Sequence, residues 1–434
     1  MNKLLQFSTY GIKNNEDLIT IDLANQTIEN GIQKINNVKG IFGYNGAGKS
    51  ALMTAIDYYN KIVCVPNYLM QNEVKDNLNK LINYVKKEFY ISMVFEFEKN
   101  IVIKHILKLS IDEVMNDYVI SEESVSLSSG RTLNDKYKVA FEKKGNDIIV
   151  EEKLKGDNYD YVFNQDLKYN SIIQVVLQKI IDKKRNDNNP ISLFDKIVLK
   201  IYSCINNIDV YLQDSDLHRN YKVDKKVIND LITQTEELKQ KRENWIDVYT
   251  SDEIVSIENY DIYKKENEKL EKFIRYFKPE LLKIELIPRE NGNVYHVRKL
   301  FVYKDYNVEL EFESSGIKQL VTLFSYLEKC AKGKTVFIDE IDTNINAVYF
   351  EKMVSFFKNY GKGQLIFTTH NIEAMKALKD QSRSIVVLGV DNKIDTWVGK
   401  GNKSPINDYI NGDFPHSPMN VEDFDFINIF LGDA

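Results

Sequence analysis

The chain has 434 residues, of which 43% are hydrophobic and 28% charged, and it contains 26 Tyr and 22 Phe. This length predicts two or three domains with a large buried core, and the aromatic content excludes a largely disordered chain. The net charge of −6 argues against a protein that coats DNA unspecifically, and three separated Cys with five His indicate neither a disulfide framework nor a zinc cluster. Because the chain has no run of 18 apolar residues and no signal-peptide pattern at its start, we expect a cytoplasmic protein that does not span a membrane.

The first 165 residues are predicted to be rich in strands, with one strong helix. Strands are expected at Leu4–Ser8, Leu18–Leu23 and Val38–Phe42. A helix is expected over Ser50–Val63, where apolar residues recur every three or four positions. From Tyr90 the apolar period changes to two, which predicts a strand with one apolar face formed by Ile91, Met93, Phe95 and Phe97. Val94 is the one apolar residue on the other face of this strand.

Residues 166–280 differ in pattern and are predicted to form a mostly helical insert. Part of it is compatible with a short helical hairpin, with apolar spacing at Ile228, Leu231, Thr235 and Leu238. The spacing does not continue for the several heptads that a long coiled coil requires. Pro279 is expected to end the last helix of the insert. Strands are then predicted at Lys283–Ile287, Val294–Tyr303 and Val308–Phe312.

The sequence from Gly43 to Ser50, GYNGAGKS, matches the phosphate-binding pattern GxxxxGK[ST] between a predicted strand and a predicted helix. Glycines let the backbone curl so that N–H groups point at phosphate oxygens, next to the positive end of the helix. Lys49 would then reach the β- and γ-phosphates of ATP, and the Ser50 hydroxyl would ligate Mg²⁺. The alternative is a glycine-rich turn with an incidental GKS. The predicted nucleotide site comprises Gly43, Asn45, Gly46, Gly48, Lys49 and Ser50.

A second pattern is the apolar run Thr335–Ile338, which is followed by two acids. Such a run predicts a buried strand, and the acid directly after it, Asp339, would lie at the Mg²⁺ ion. Glu340 can act as the general base that takes a proton from the attacking water. The alternative is an ordinary buried strand followed by two surface acids. Taken alone, this pattern supports both interpretations equally.

A turn formed by Ser314, Ser315 and Gly316 lies between a predicted strand and the apolar helix Ile317–Leu327. Backbone N–H groups and a hydroxyl at a helix N-terminus can bind a second phosphate. The simpler interpretation is an N-capping serine, and the turn considered alone favours it.

A further apolar strand is predicted over Gln364–His370, with the polar residue His370 at its end. A histidine at the end of such a strand can form a hydrogen bond with the γ-phosphate or with the attacking water. A lone histidine is more often structural. The position of His370 after a strand, in a chain with a phosphate loop, favours the catalytic interpretation.

The order of these four motifs resembles the ATP-binding-cassette (ABC) ATPases, and within them the SMC-like branch of chromosome and DNA-repair ATPases. Within that branch the chain resembles prokaryotic AAA ATPases related to the OLD-family ATPase module, many of which serve in abortive-infection (antiphage) systems. The resemblance covers about 1–110 and 280–400. By this resemblance the Walker A motif is Gly43–Ser50 and the Walker B motif is Val336–Glu340. The signature is Ser314–Gly316, the D-loop is Asn344–Asn346 and the switch histidine is His370.

This resemblance implies an α/β fold, namely an ABC/SMC-like P-loop ATPase head. Such a head has a mixed sheet flanked by helices and an antiparallel β-subdomain, and here it would carry the helical insert. Residues 1–165 and 281–434 would form the two parts of the head, and residues 166–280 the insert. The cofactors would be ATP and Mg²⁺. The head would act as a homodimer in which Ser314–Gly316 of one subunit closes over the γ-phosphate held by Gly43–Ser50 of the other, with larger assemblies left open.

The function implied is that of a regulator or sensor ATPase in an antiphage system, controlling a separate effector such as a TOPRIM-type nuclease. One alternative is an SMC-like DNA-repair or DNA-binding ATPase, although the net charge does not indicate binding of nucleic acid. Another is an ATP-bound assembly scaffold with little turnover. No membrane partner is expected.

OLD-family nucleases carry a TOPRIM domain, with a glutamate and a DxD pair, after the ATPase. Here only 64 residues follow His370. The tail does contain Asp423 and Asp425, with Glu422 before them, but these acids do not follow an apolar strand. We therefore interpret the tail as a docking or surface-packing segment and expect any nuclease activity to belong to a separate protein.

Overall fold

The computed structural model describes residues 2–29, 32–97, 101–129, 133, 135–154, 162, 167–186, 192–212, 252–399 and 403–416. The strands of this part of the chain are β1 (Lys3–Tyr10), β2 (Ile19–Asp22), β3 (Ala24–Glu29), β4 (Ile32–Ile35), β5 (Val38–Gly43), β6 (Glu88–Phe97), β7 (Ile101–Asp112), β8 (Asp117–Ser128), β9 (Lys138–Lys144), β10 (Asp147–Val150), β11 (Ile208–Tyr211), β12 (Asp252–Ser256), β13 (Lys283–Asn291), β14 (Val294–Val302), β15 (Asn307–Glu309), β16 (Thr335–Ile338), β17 (Gln364–Thr368), β18 (Ile385–Leu388) and β19 (Ile394–Thr396). Its α-helices are α1 (Lys49–Cys64), α2 (Asn72–Leu81), α3 (Ile172–Asn186), α4 (Leu193–Asn206), α5 (Tyr260–Phe277), α6 (Ser315–Lys332), α7 (Ala347–Tyr360), α8 (Ala374–Leu378) and α9 (Pro405–Ile410).

The phosphate loop, residues 43–50, belongs to a mostly parallel sheet with the strand order β11-β16-β17-β5-β18-β19. Strands β11 to β18 in this order are parallel, whereas β19 pairs antiparallel with β18. Strands β16, β17, β5 and β18 are buried along their whole length. A parallel sheet covered on both faces has such continuous apolar strands, so the strands predicted at the places of β5, β16 and β17 are confirmed.

The parallel sheet separates two apolar cores. On β16, Phe337 packs into a first core that also contains α1 and one face of the antiparallel sheet. Val336 and Ile338 point the other way, into a second core formed with helices α5 to α8. Successive side chains of a strand point to opposite faces, and this alternation lets one short strand contribute to both cores.

The antiparallel sheet has the strand order β10-β9-β8-β7-β6-β1-β2. The alternation predicted for β6 is confirmed, because the side chains at 91, 93, 95 and 97 are buried in the first core. Val94, the apolar exception, is buried as well. It packs with Leu5 and Val102 in a small cluster on the other face of the sheet. An antiparallel subdomain therefore accompanies the mixed sheet, and the predicted α/β fold class is confirmed.

The described part of the predicted helical insert contains the helices α3, α4 and α5, but also two strands. Strand β11 pairs in parallel with β16 and so extends the phosphate-loop sheet, while β12 pairs with β14. Helix α5 ends before Pro279 as predicted, because a proline disfavours helical backbone at the preceding residue. The hairpin predicted at 228–238 lies outside the described residues. The domain division at 165 and 280 stays a prediction.

Strands β13, β14, β12 and β15 form a third sheet, which packs with α5 in the second core. The first of these strands is longer than predicted and continues through Asn291. None of the helices in the described part of the chain is long and apolar enough to cross a membrane.

A hydrogen-bond network of buried polar side chains joins α1 to the antiparallel sheet. Tyr59 Oη lies 2.7 Å from His105 Nδ1, and His105 Nε2 lies 3.4 Å from Glu123 Oε1. Glu123 also accepts hydrogen bonds from the Ser171 hydroxyl at 2.6 Å and from the Ile172 N–H at 2.8 Å. The Glu123 carboxylate, fully buried, thus connects α1, β7, β8 and the start of α3.

Replacing this carboxylate should destabilise the protein. Glu123→Ala is expected to lower the free energy of unfolding by about 3 kcal/mol, because it leaves buried hydrogen-bond donors without an acceptor. Glu122→Ala is the matched control on the opposite face of β8, with an expected change under about 1 kcal/mol. Chemical denaturation followed by circular dichroism measures both changes. Equal effects of the two substitutions would contradict the structural role of Glu123.

Candidate functional site

The loop between β5 and α1 has the backbone conformation that its glycines predict. The φ angle is +139° at Gly43, +78° at Gly46 and +99° at Gly48, all in the left-handed region. A Cβ on Gly48 would lie 2.1 Å from Asn15 Oδ1, so no larger residue fits there. Around Gly46, no described atom would lie within 4 Å of a Cβ. The loop is therefore packed on one side and open on the other, where a phosphate can approach.

Lys49 is the first residue of α1, and its side chain curls back over the loop. Its Nζ donates hydrogen bonds to the carbonyl oxygens of Gly43 at 2.9 Å and Tyr44 at 2.7 Å. Burial lowers the pKa of Lys49 to about 8, although three nearby carboxylates act in the opposite direction: Asp339, Glu340 and Asp342. The ammonium is thus held, largely desolvated and still mostly protonated at pH 7, beside the open face of the loop.

Two neighbouring asparagines, which no motif in the sequence indicates, support the loop from outside. Asn14 Nδ2 donates a hydrogen bond of 2.5 Å to the Gly46 carbonyl, and the Asn14 carbonyl accepts one from Asn392 Nδ2 at 3.1 Å. Asn15 is 1% exposed and lies against Gly48. The only signal in the sequence is a pair of asparagines after a strand, and this pattern is common in loops.

The two acids after β16, Asp339 and Glu340, form a tight turn, which we call the acidic turn. Asp339 is 6% exposed, and its N–H donates to the Tyr211 carbonyl at 2.9 Å. Glu340 has a φ of +47°, which is unusual for a residue with a Cβ. Its N–H donates to Thr368 Oγ1 at 2.8 Å, and the Thr368 hydroxyl in turn donates to Asp339 Oδ1. Thr368 at the end of β17 therefore holds the acidic turn.

His370 follows β17 and belongs to the same cluster of charges. Desolvation and the positive charge of Lys49 lower the pKa of His370, while Glu340, Asp342 and Asp339 act in the opposite direction. On balance the pKa of His370 is lowered, which favours the neutral form of the imidazole. Strands β5, β16 and β17 are parallel, so their carboxyl ends, where ligands bind in such sheets, meet at one edge. The structure thus brings together Lys49, Asp339, Glu340 and His370, and it adds Asp342.

The Ser-Ser-Gly turn, residues 314–316, lies at the exposed start of α6. Ser314 Oγ accepts a hydrogen bond of 3.4 Å from the Ile317 N–H, which makes Ser314 the N-cap of this helix. A Cβ on Gly316 would lie 3.2 Å from Asn344 Cβ, so the turn packs against the loop after β16. The capping interpretation is confirmed, whereas a phosphate-binding role stays a prediction.

The predicted D-loop, residues 344–346, follows the acidic turn. Asn344 has a φ of +62°, and its Nδ2 donates to Gln319 Oε1 at 2.9 Å. Asn346 caps α7, with Oδ1 accepting from the Val348 N–H at 3.0 Å. Both asparagines therefore have structural roles, because they connect the segment after the acidic turn to the N-terminal parts of α6 and α7.

Ser50 and Asp339 are the two residues that would hold Mg²⁺. They supply hydroxyl and carboxylate oxygens, which Mg²⁺ prefers, and nucleotide-bound Mg²⁺ takes only one or two protein ligands. The Thr368 hydroxyl donates to Asp339 Oδ1, and no described residue donates a hydrogen bond to Oδ2. The donor set, with one carboxylate oxygen of Asp339 that accepts no hydrogen bond from a described residue, fits a magnesium–nucleotide complex.

Residues 141–376 match a family model described as "AAA domain, putative AbiEii toxin, Type IV TA system". This match covers more than half of the chain. The chain belongs to this AAA family. The matched region contains the Ser-Ser-Gly turn, the acidic turn and His370, while the phosphate loop precedes it. The chain therefore has a P-loop ATPase domain of the AAA family, and domains of this kind use a nucleotide and typically Mg²⁺.

The solved structures similar to this AAA protein include three SMC heads. An SmcHead bound to the C-winged helix domain of ScpA is 14% identical, with a TM-score of 0.46 and coverage of 91% of this chain and 98% of the other. An Smc head with an extended coiled coil, bound to the C-terminal domain of ScpA from Pyrococcus furiosus, is 13% identical, with a TM-score of 0.42 and coverage of 92% and 97%. The SMC head domain from Thermotoga maritima is 14% identical, with a TM-score of 0.36 and coverage of 91% and 99%. No curated protein matches the chain.

The charge of Lys49 should control nucleotide binding. Lys49→Ala is expected to abolish measurable ATP binding, because it removes the cation nearest to the phosphates. In the wild-type protein, the affinity for ATP should fall as the pH rises from 7 to 9, because the ammonium loses its proton around its pKa of about 8. Calorimetric titration with ATP measures both effects.

The matched control is Lys61→Ala, at the other end of α1, where Lys61 pairs with Asp57. This variant should bind ATP as the wild type does, with the same dependence on pH. Normal ATP affinity of Lys49→Ala would contradict the assignment of the loop.

Proposed function

We propose that this AAA-family protein binds ATP with Mg²⁺ and hydrolyses it. The observation that supports this most directly is the Lys49 ammonium, held between a glycine loop and three carboxylates at one edge of the parallel sheet. The loop N–H groups, the start of α1 and Lys49 would supply positive potential to the β- and γ-phosphates. Ser50 and Asp339 would supply the oxygen ligands of Mg²⁺.

In the proposed reaction, Glu340 accepts a proton from a water molecule, whose oxygen attacks the γ-phosphorus. The bond between that phosphorus and the oxygen bridging to the β-phosphate breaks, and ADP leaves with phosphate as the second product. The neutral imidazole of His370 has one donor and one acceptor nitrogen, so it can orient the water or bind a γ-phosphate oxygen. Mg²⁺, when bound, would neutralise charge on the phosphate oxygens.

We further propose that the protein works as a homodimer with ATP between the two subunits. Ser314 and Ser315 are exposed, and they begin a helix of 18 residues whose N-terminus carries partial positive charge. In a symmetric dimer, each Ser-Ser-Gly turn would face the phosphate loop of the other subunit. The contact between Gly316 and Asn344 would then connect the turn to the acidic residues of its own subunit.

The biological role that we propose is that of a cytoplasmic regulator or sensor ATPase in an antiphage system of the OLD-like, abortive-infection type. The family description names a toxin and a type IV toxin–antitoxin system, which supports a role with a second component. That component would be a separate effector such as a TOPRIM-type nuclease. The net charge of −6 favours this role over DNA repair, because non-specific DNA binding depends on lysine and arginine contacts with phosphates.

The role of Glu340 can be tested by removing only its charge. Glu340→Gln should reduce kcat for ATP hydrolysis by roughly 10²- to 10⁴-fold, because an amide cannot accept the proton from water. The variant should still bind ATP and form ATP-dependent dimers, measured by analytical ultracentrifugation. Glu351→Gln, on α7, is the control and should hydrolyse ATP at the wild-type rate. Unchanged turnover in Glu340→Gln would exclude Glu340 as the base. If the wild type forms ATP-dependent dimers but does not hydrolyse ATP, the protein would instead be an ATP-bound assembly scaffold.

The antiphage role predicts that ATP binding is needed for protection. Bacteria that express the protein with its neighbouring genes should plate phage less efficiently than cells without them, and Lys49→Ala should restore phage growth. Protection that persists in Lys49→Ala would contradict a role for the ATPase. A DNA-repair role would appear instead as sensitivity of Lys49→Ala cells to DNA breaks, with DNA binding that weakens steeply as salt rises.

A further inference from the structure

Thr368, the last residue of β17, contacts three consecutive residues of the acidic turn. Its hydroxyl donates to Asp339 Oδ1 and accepts from the Glu340 N–H at 2.8 Å. Its carbonyl oxygen accepts from the Ile341 N–H at 3.2 Å. Thr368 is 0% exposed, so none of these bonds competes with bulk water. The turn that carries the acids is therefore attached to β17 by one residue.

The direction of the two side-chain bonds follows from the chemistry of the partners. An ionised carboxylate can only accept hydrogen bonds and a backbone N–H can only donate, whereas a threonine hydroxyl does one of each. The hydroxyl proton must therefore point at Asp339 while an oxygen lone pair faces Glu340. A hydrogen bond to a charged acceptor is stronger and more directional than a neutral one, so it restricts the rotation of the Asp339 carboxylate.

The backbone of Glu340 needs such a partner. Its φ of +47° lies in the left-handed region, which residues with a Cβ seldom adopt. The hydrogen bonds from the Glu340 and Ile341 N–H groups to Thr368 hold the chain in this conformation. The side chain that we propose as the general base thus starts from a backbone position that Thr368 determines.

We propose that Thr368 is a positioning residue, which orients the Asp339 carboxylate toward Mg²⁺ and fixes the backbone of Glu340. The inference rests on the proposed binding of Mg²⁺ and ATP at this edge of the sheet. Thr368 would act through the two acids, because its hydroxyl forms hydrogen bonds with both of these residues. Because His370 follows two residues later, the end of β17 both carries the histidine and aligns the acids.

Binding of Mn²⁺ in place of Mg²⁺ tests this proposal without relying on turnover. The Mn²⁺ affinity is measured by electron paramagnetic resonance in the presence of a non-hydrolysable ATP analogue. Thr368→Val keeps the shape of the side chain and removes both side-chain hydrogen bonds, and it should weaken Mn²⁺ binding roughly 10- to 100-fold. Binding of the analogue without metal should stay at the wild-type level. Thr368→Ser restores the hydroxyl and should recover most of the affinity.

The matched control is Thr335→Val, at the opposite end of the same pair of strands. Thr335 is 3% exposed, and its hydroxyl is 3.2 Å from Gln364 Oε1. This variant removes a buried threonine hydroxyl of the same kind and should leave the Mn²⁺ affinity unchanged. An equal loss in Thr335→Val and Thr368→Val would assign the effect to general destabilisation and overturn the proposal.

Wild-type Mn²⁺ affinity in folded Thr368→Val would overturn the role of Thr368, even where the wild type hydrolyses ATP normally. If Thr368→Val does not fold, Thr368→Ala provides the same comparison with a smaller side chain. A wild type that binds Mn²⁺ and the analogue but does not turn over ATP would contradict the proposed hydrolysis alone, and the Mn²⁺ comparison would still test Thr368. A wild type that binds no Mn²⁺ with the analogue would contradict both proposals.

Discussion

The parallel alignment of β16, β17 and β5 is the constraint on which the candidate site depends. Thr335 pairs with Gln364 and Leu365 pairs with Val38, so the three strands run side by side and end at the same edge. The phosphate loop, the acidic turn and the segment with His370 all leave the sheet there. Segments more than 300 residues apart in sequence meet for this reason. Without the parallel register, each motif would be an isolated turn.

At this edge one buried ammonium lies among three carboxylates, an arrangement that suits a phosphate ligand bound together with a divalent cation. Lys49 contributes a buried ammonium, whose hydrogen bonds go to backbone carbonyls of its own loop. Burial disfavours this charge and nearby carboxylates favour it, which leaves its pKa at about 8. Folding has already removed most of the water around the Lys49 ammonium, so ligand binding does not have to supply all of the desolvation free energy. A bound nucleotide would then replace the neutral carbonyl acceptors with charged phosphate oxygens.

Helix α1 connects the site to the rest of the molecule. It begins at Lys49 and packs in the first core, between the parallel sheet and the antiparallel sheet. Farther along the helix, Tyr59 joins the buried network around His105 and Glu123, which reaches the start of α3. The two sheets therefore share one core, and the position of the phosphate loop is fixed by packing on both sides of its helix.

Several features could be predicted from local sequence. The phosphate loop follows from glycines at positions that need a positive φ, next to Lys49 and Ser50, and this spacing alone predicts the chemistry. The apolar runs of β16 and β17 predicted buried strands, because a strand covered on both faces has no polar side to show. The strands β11 and β12 were missed in a segment where helical spacing dominates the pattern.

The sequence by itself thus determined the phosphate loop, the buried strands beside it and the family resemblance. Only the tertiary structure decided which residues support the site. The hydrogen bonds from Thr368 to Asp339 and from Asn14 to Gly46 join residues 29 and 32 positions apart. Threonine and asparagine occur in many buried or loop positions, so neither residue carries a local signal of such a contact. The contact exists because sheet pairing and loop packing place the two groups at hydrogen-bonding distance.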